Sequence, residues 1–75
     1  MEELIAIRKR IKTIRLKKEY SQYYMSCRLH TSQVVYHNLE NGKSNLKVET
    51  ILRLATILEV DVSDFFEDKK VEMNS

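Results

Sequence analysis

Apolar residues recur at intervals of three and four along much of the chain, which is the spacing of one face of an α-helix. In the first segment, residues 2 to 18, lysine and arginine fill the opposite face, and the apolar stripe consists of Leu4, Ile7, Ile11 and Ile14. A later and more apolar stripe consists of Val48, Ile51, Leu52, Leu54, Ala55 and Leu58. The pattern predicts two amphipathic helices, and the later one is expected at the centre of the core.

Short helices are marked by residues suited to their ends. Ser21 and Ser32 each precede a short mixed segment and are good N-caps, predicting helices to about Leu29 and over residues 33–41. The only glycine, Gly42, follows the second of these segments, where a helix end favours positive φ. Ser63, as a cap, predicts a last short helix through Phe65 and Phe66, aided by the carboxylate of Asp64. The chain is therefore expected to be all-α, with five helices.

The composition fits one small domain. The chain has 75 residues, of which 43% are apolar and 32% charged, with no proline and a single cysteine. So short a chain has no room for a deep substrate cavity beside its core, which argues against an enzyme. One cysteine cannot form an internal disulfide, and neither a membrane span nor a signal-peptide pattern is evident, so we expect a cytoplasmic protein without cofactor. The domain is placed at residues 1–68, with a polar tail at 69–75.

Charge is unevenly distributed along the chain. Residues 1–47 carry ten lysines and arginines against four acidic residues, a balance of +6, whereas residues 48–75 carry three against seven, a balance of −4. Seven of the cations lie between Arg8 and Lys18. Such a density attracts phosphates, membrane head groups or an acidic protein. A solvated helix face explains it equally simply.

The third predicted helix carries an unusual outward face. At 100° per residue, Tyr36 and Leu39 point to one side, toward the core. The opposite side presents Val34, Asn38 and Asn41, with His37 on the flank. The outward face thus shows short amides, an imidazole and the two valines Val34 and Val35 in place of the usual lysine and glutamate. Gln and Asn can pair with adenine N6 and N7, and a small apolar group can touch a thymine methyl. The face therefore suits base edges, and a merely polar surface remains the alternative.

Several segments together resemble the phage-repressor/Cro, or XRE-type, helix-turn-helix family. The resemblance spans about residues 5 to 67 and rests on the order and spacing of Ser21-Gln22, Leu29, Thr31-Ser32-Gln33, Leu39-Glu40-Asn41-Gly42-Lys43, Val48 to Ala55 and Val60 to Phe66. It implies a five-helix, lambda-repressor-like domain that binds double-stranded DNA, commonly as a two-fold dimer. In this family the third helix reads the bases.

The resemblance also implies roles for individual residues. It places base contacts at Gln33, Val34 and Asn38, with His37 nearby, and phosphate contacts at Ser21, Gln22, Asn41 and Lys43. It matches Arg15 and Glu40 to a partly buried ion pair that joins the first helix to the third. Apolar residues late in the chain exceed what a small core buries, so part of the set Val60, Val62, Phe65 and Phe66 is expected at a homodimer interface.

Four positions depart from the family pattern. His30 stands where a glycine is usual in the turn, which predicts some strain. Leu46 and Lys47 replace a common proline and a capping residue, so Asn45 is expected to cap the fourth helix instead. Tyr36 is larger than the usual aliphatic residue, and its hydroxyl needs a partner or solvent.

Other chemistry is poorly supported. Cys27, His30 and His37 lack further ligands at metal-binding spacing, so no metal site is expected. The leading interpretation is a sequence-specific transcriptional regulator that binds a palindromic operator as a homodimer, such as a phage-type repressor or a restriction-modification controller. The alternative is an antitoxin-like subunit that holds a protein partner and regulates its own gene.

Overall fold

The computed structural model describes residues 2–66, except for the side chains of Glu2 and Glu3. Five helices follow one another in the described part: α1 (Glu2–Lys17), α2 (Gln22–Arg28), α3 (Gln33–Asn41), α4 (Val48–Leu58) and α5 (Ser63–Phe66). The all-α, five-helix prediction is confirmed, with each boundary within about two residues of the sequence pattern. The predicted tail at 69–75 and the predicted domain end at residue 68 lie outside the described residues.

The predicted caps of α2 and α3 form as expected. Ser21 Oγ accepts a hydrogen bond from the Tyr24 backbone N–H at 2.9 Å, and Ser32 Oγ accepts one from the Val35 N–H at 3.1 Å. Gly42 ends α3 with a φ of 82°, and its N–H donates to the Asn38 carbonyl. These local bonds satisfy backbone groups that the helices leave unpaired at their ends.

The start of α4 corrects the capping prediction. The residue at the cap position is Lys47, which makes no side-chain cap hydrogen bond. Asn45 is exposed and lies two residues before that position, too far back along the chain to serve as the N-cap. The first turn of α4 therefore lacks the side-chain acceptor that the sequence predicted.

The start of α5 differs from the prediction in a similar way. Ser63 is the first helical residue and is not the cap. The capping bond comes instead from Asp64, whose Oδ2 accepts from the Asp61 N–H at 3.1 Å. The bend before α5 thus gains a side-chain acceptor from within the helix, as in the reciprocal half of a capping box.

Three helices end on a non-glycine residue with positive φ. These residues are Glu19 after α1, His30 after α2 and Glu59 after α4, with φ between 59° and 62°. At His30 the backbone closes with two bonds, His30 N–H to the Cys27 carbonyl at 3.1 Å and Thr31 N–H to the Ser26 carbonyl at 2.9 Å. This is the Schellman pattern, which requires the left-handed conformation that glycine adopts most easily. The strain predicted at His30 therefore arises from the left-handed backbone conformation that this turn requires.

The core lies where α1, α4 and α5 meet the α2–α3 pair. α1 packs against α3, α4 and α5, and α2 packs against α3. The buried apolar residues come from every helix and from the loop before α4: Ile7, Ile11, Met25, Leu29, Tyr36, Leu46, Ile51, Leu54, Ala55, Ile57, Leu58 and Phe65. α4 supplies five of them: four belong to its predicted apolar stripe and the fifth is Ile57, whereas Val48 and Leu52 of that stripe are exposed.

Candidate nucleic-acid interface

The outward face of α3 is accessible, as the helical geometry predicted. Gln33, Val34 and His37 are exposed, Val34 to 69%, and Asn38 is half-buried beside them. On the opposite face the Tyr36 ring is 1% exposed. The exposed valine among amides gives this face both apolar and hydrogen-bonding groups, which is the chemistry that base edges present.

The helix α2 holds α3 in place. Met25 of α2 and Leu29, the residue that follows the helix, are buried in the same core cluster as Tyr36 of α3. The connection is only four residues, 29–32, and is closed by the two backbone bonds around His30. A short, hydrogen-bonded turn between two packed helices fixes the direction in which α3 projects.

A buried polar network fastens the inner side of α3 to α1. Arg15 binds Glu40 with two parallel hydrogen bonds, Nε to Oε2 at 2.8 Å and Nη2 to Oε1 at 3.0 Å. The Tyr36 hydroxyl donates to Glu40 Oε2 at 2.7 Å, and Gln22 Nε2 donates to Oε1 at 3.0 Å. Arg15 also donates to the Tyr20 carbonyl at 2.8 Å. Glu40 thus accepts four hydrogen bonds, two from Arg15 and one each from Tyr36 and Gln22. Four is the acceptor capacity of one carboxylate, so the buried negative charge is well compensated.

The network shifts the acidities of its members. Burial by itself raises the pKa of Glu40, but the hydrogen bonds from Arg15, Tyr36 and Gln22 outweigh it and hold that pKa below its usual value. Burial, and then the hydrogen bond to the Glu40 carboxylate, raise the pKa of Tyr36. The hydrogen bond to Glu40 raises the pKa of Arg15. Glu40 is therefore ionised and Tyr36 neutral at neutral pH, which is the arrangement that the hydrogen bonds require.

Gln22 connects this network to the outward face. Its Nε2 donates to Glu40, while its Oε1 lies 3.2 Å from Nδ1 of His37. The amide oxygen accepts from Nδ1 in the tautomer that carries the proton there, and in the other tautomer Nδ1 is an acceptor for the Asn41 amide. Asn41 Nδ2 donates to the His37 carbonyl at 2.9 Å and lies 3.1 Å from Nδ1 of the ring. The imidazole is thereby held between α2 and the end of α3.

Sequence reasoning did not identify this second role of Gln22. It placed the residue among the phosphate contacts, and the structure shows that both ends of its amide bond to other side chains of the protein. It also left open the partner of the Tyr36 hydroxyl, which is Glu40. The i, i+4 spacing of Tyr36 and Glu40 was the available signal, because residues four apart are neighbours on a helix.

The other predicted phosphate contacts lie at the two ends of the α2–α3 pair. Ser21 is exposed just before α2, and Asn41 and Lys43 are exposed at and after the end of α3. The loop that carries Lys43 is held by Arg8 of α1, a residue that sequence reasoning missed. Its Nη2 donates to the Ser44 carbonyl at 3.0 Å, and its Nη1 donates to the Leu39 carbonyl.

The predicted dimer residues differ in how far they are exposed. Phe65 is 1% exposed and belongs to the core, which removes it from a surface that a second protomer could contact. Phe66 is 55% exposed. Val60 and Val62 are partly buried against the core. The correction for Phe65 follows from α5 packing on α1, which turns one phenylalanine inward and its neighbour outward.

The residues considered for metal binding and other chemistry are not grouped into a site in the described part of the chain. Cys27 is a free, exposed thiol. Among the described residues, no three histidine, cysteine, aspartate or glutamate side chains are grouped so as to hold a metal ion. None of the helices in the described part is long and apolar enough to cross a membrane.

Comparison with known proteins agrees with this geometry. The model of the helix-turn-helix family matches residues 11–65. Among solved structures, the chain is similar to the SOS-response transcriptional repressor LexA from Eubacterium rectale, with a TM-score of 0.82 and 17% sequence identity, over 100% of this chain and 80% of that one. At this identity the likeness concerns the fold. No curated protein sequence matches the chain closely enough to count as a relative. The family match covers most of the chain, and the chain therefore belongs to the XRE-type helix-turn-helix family of DNA-binding transcriptional regulators.

Proposed function

We propose that this protein is a cytoplasmic, sequence-specific transcriptional regulator that binds a palindromic operator in double-stranded DNA as a homodimer. The observation that carries the proposal is the outward face of α3. That face is uncharged, carries amides, an imidazole and a valine, and is fastened from behind by the buried Arg15–Glu40 network. A rigid helix with such side chains matches the dimensions and chemistry of the major groove.

Each outward residue has a chemical role in this proposal. Gln33 and Asn38 pair with adenine through N6 and N7, and Val34 packs on a thymine methyl. His37, oriented by Gln22, meets the next base edge or its phosphate. In this arrangement the residues at the N-terminal end of α3 make the base contacts, because that end of a recognition helix enters the groove deepest.

Phosphates flank the bases that α3 would read. Ser21 and Gln22 at one end of the α2–α3 pair, and Asn41 and Lys43 at the other, offer donors at separate places along the backbone. Such contacts set the register of the protein without reading sequence. Lys43 supplies a full positive charge, so its contribution depends on salt.

A homodimer places two copies of α3 about one helical turn apart on a palindrome. We assign that contact to the exposed Phe66 ring, together with the exposed parts of Val60 and Val62. A phenylalanine that is 55% exposed gains apolar contact by pairing with its symmetry mate. Sedimentation of the protein with and without DNA measures this association, and a strict monomer in both states contradicts it.

The test of the proposal begins with selection of bound duplexes from random DNA. Asn38→Ala and Gln33→Ala are then expected to lose about 1 to 3 kcal/mol on the selected operator and little on random DNA. Lys43→Ala is expected to weaken both and to lower the salt slope by about one. Thr56→Ala, an exposed change on α4, serves as the control. Equal losses on all sequences would refute base reading by α3, and selection of no preferred sequence would refute the proposed function.

A further inference from the structure

A groove runs between α1 and the loop that follows α3, and neither the family match nor the proposed base contacts account for it. Its volume is about 720 Å³. It is lined by the apolar residues Leu4 and Ile5 and by the cations Arg8, Lys9, Lys12 and Lys43, among others. We infer that this groove is a second phosphate-binding strip, which holds the DNA backbone outside the base pairs read by α3. The inference rests on the proposed function.

The charge of the groove selects an anionic occupant. Among the described side chains, four that line the groove are cationic, and the only carboxylate is that of Glu40. Glu40 is 6% exposed and already paired with Arg15, so it contributes little repulsion at the surface. Lys9, Lys12 and Lys43 are exposed. Clustered cations beside a low-dielectric wall concentrate positive potential and attract phosphate.

The position of the groove favours duplex DNA over a small anion. It adjoins Asn41 and Lys43, the proposed phosphate contacts at the end of α3, so the two surfaces are continuous. Lys9 and Lys12 are three residues apart on α1, which is a rise of about 4.5 Å. Both side chains are exposed, so their ammonium groups are separate contact points for phosphate. A line of separated cations suits successive phosphates of a backbone better than one compact ligand.

Arg8 links the two elements that form this groove. Its guanidinium bonds to the carbonyls of Leu39 and Ser44, one at the end of α3 and one in the loop. These bonds tie the loop that carries Lys43 to the helix that carries Lys9 and Lys12. The cations of the two elements therefore keep a constant separation while α3 occupies the major groove.

The test compares two duplexes that contain the same selected operator. The short duplex ends at the outermost selected base pair, and the long one extends about one further helical turn on each side. The variant is Lys9→Gln with Lys12→Gln, because glutamine is a good helix former and both side chains are exposed. Binding is measured by fluorescence anisotropy over a range of salt concentrations.

On the long duplex we expect the variant to reduce the magnitude of the log–log salt slope by about 1.8 per protomer, which is about 0.9 for each of two phosphates. For one protomer this corresponds to binding about 60-fold weaker at 0.1 M salt, if the affinities converge at 1 M, and the factors of the two protomers of a bound dimer multiply. On the short duplex the variant and the unmodified protein should bind alike, because the flanking phosphates are missing. The ratio of selected to random DNA should change little.

A matched variant, Lys17→Gln with Lys18→Gln, removes the same charge at the C-terminal end of α1, from residues that do not line the groove. It should weaken long and short duplexes by the same factor. The inference is overturned if the Lys9/Lys12 variant keeps the salt slope of the unmodified protein, if its loss is equal on both duplexes, or if the matched variant shows the same dependence on flanking DNA. Each of these results leaves sequence preference intact, whereas loss of the proposed function would appear as no preference in the unmodified protein.

Discussion

Removal of the Glu40 carboxylate tests whether the buried network holds α3 in place. In Glu40→Ala, Arg15 would remain 6% exposed without its carboxylate, and the Tyr36 hydroxyl and the Gln22 amide would each lose their acceptor. Breaking a buried pair by removing one partner costs about 3 to 5 kcal/mol, because an uncompensated charge is left inside. A domain of this size has a total stability of about 4 to 11 kcal/mol.

The expected loss is thus a large share of the stability, and the variant is expected to be barely folded. Urea denaturation followed by circular dichroism measures it. Tyr36→Phe is the milder companion, because it removes only the 2.7 Å hydrogen bond to the carboxylate and should cost about 1.5 to 3 kcal/mol. Stability of Glu40→Ala within about 0.5 kcal/mol of the unmodified protein would refute the reasoning, since changes of that size are typical of surface positions.

A second prediction concerns the stability of the protein when both charged residues of the network are replaced by apolar ones. Arg15→Met combined with Glu40→Met removes both charges together, so neither is left unpaired. We expect this double variant to be more stable than Glu40→Ala by several kcal/mol, since apolar replacement of a buried pair is often neutral. A double variant as unstable as Glu40→Ala would show that packing, and not the unpaired charge, sets the cost.

Three further predictions concern single groups. The pKa of Glu40 is lowered from its usual 4.5, so its stabilising effect should be complete above about pH 4.5 and lost as the pH falls through the folded-state value. Thermal melts from pH 7 to pH 3 measure this loss. If the melting temperature of Glu40→Gln changed with pH in parallel with that of the unmodified protein, the prediction would be contradicted. His30→Gly should stabilise the fold by about 0.5 to 1 kcal/mol, because φ at His30 is 59° and glycine adopts that conformation without strain; a destabilised variant would show that the histidine side chain compensates. Lys47→Ser should add about 1 kcal/mol in urea denaturation by supplying the missing cap of α4, whose cap residue already has an extended backbone, and no gain would mean that these N–H groups are satisfied by water.

The sequence alone determined the elements of this protein and the face of α3 that is exposed. Helix periodicity, the serine caps at Ser21 and Ser32 and the positive φ at Gly42 depend on residues within a few positions of one another. The predicted burial of Tyr36 and exposure of Val34 follow from the same local geometry. The Arg15–Glu40 pair was expected from the family resemblance, and the structure shows it as a bidentate contact.

Tertiary structure decided the contacts that join distant parts of the chain. Gln22 bonding to both Glu40 and His37, Arg8 holding the loop after α3, and Phe65 facing the core while Phe66 faces outward depend on how the helices pack. A side chain such as arginine or glutamine has several rotamers and many partners of suitable chemistry in any sequence. Only the packed helices bring one of those partners within hydrogen-bonding distance and exclude the water that would otherwise compete for it.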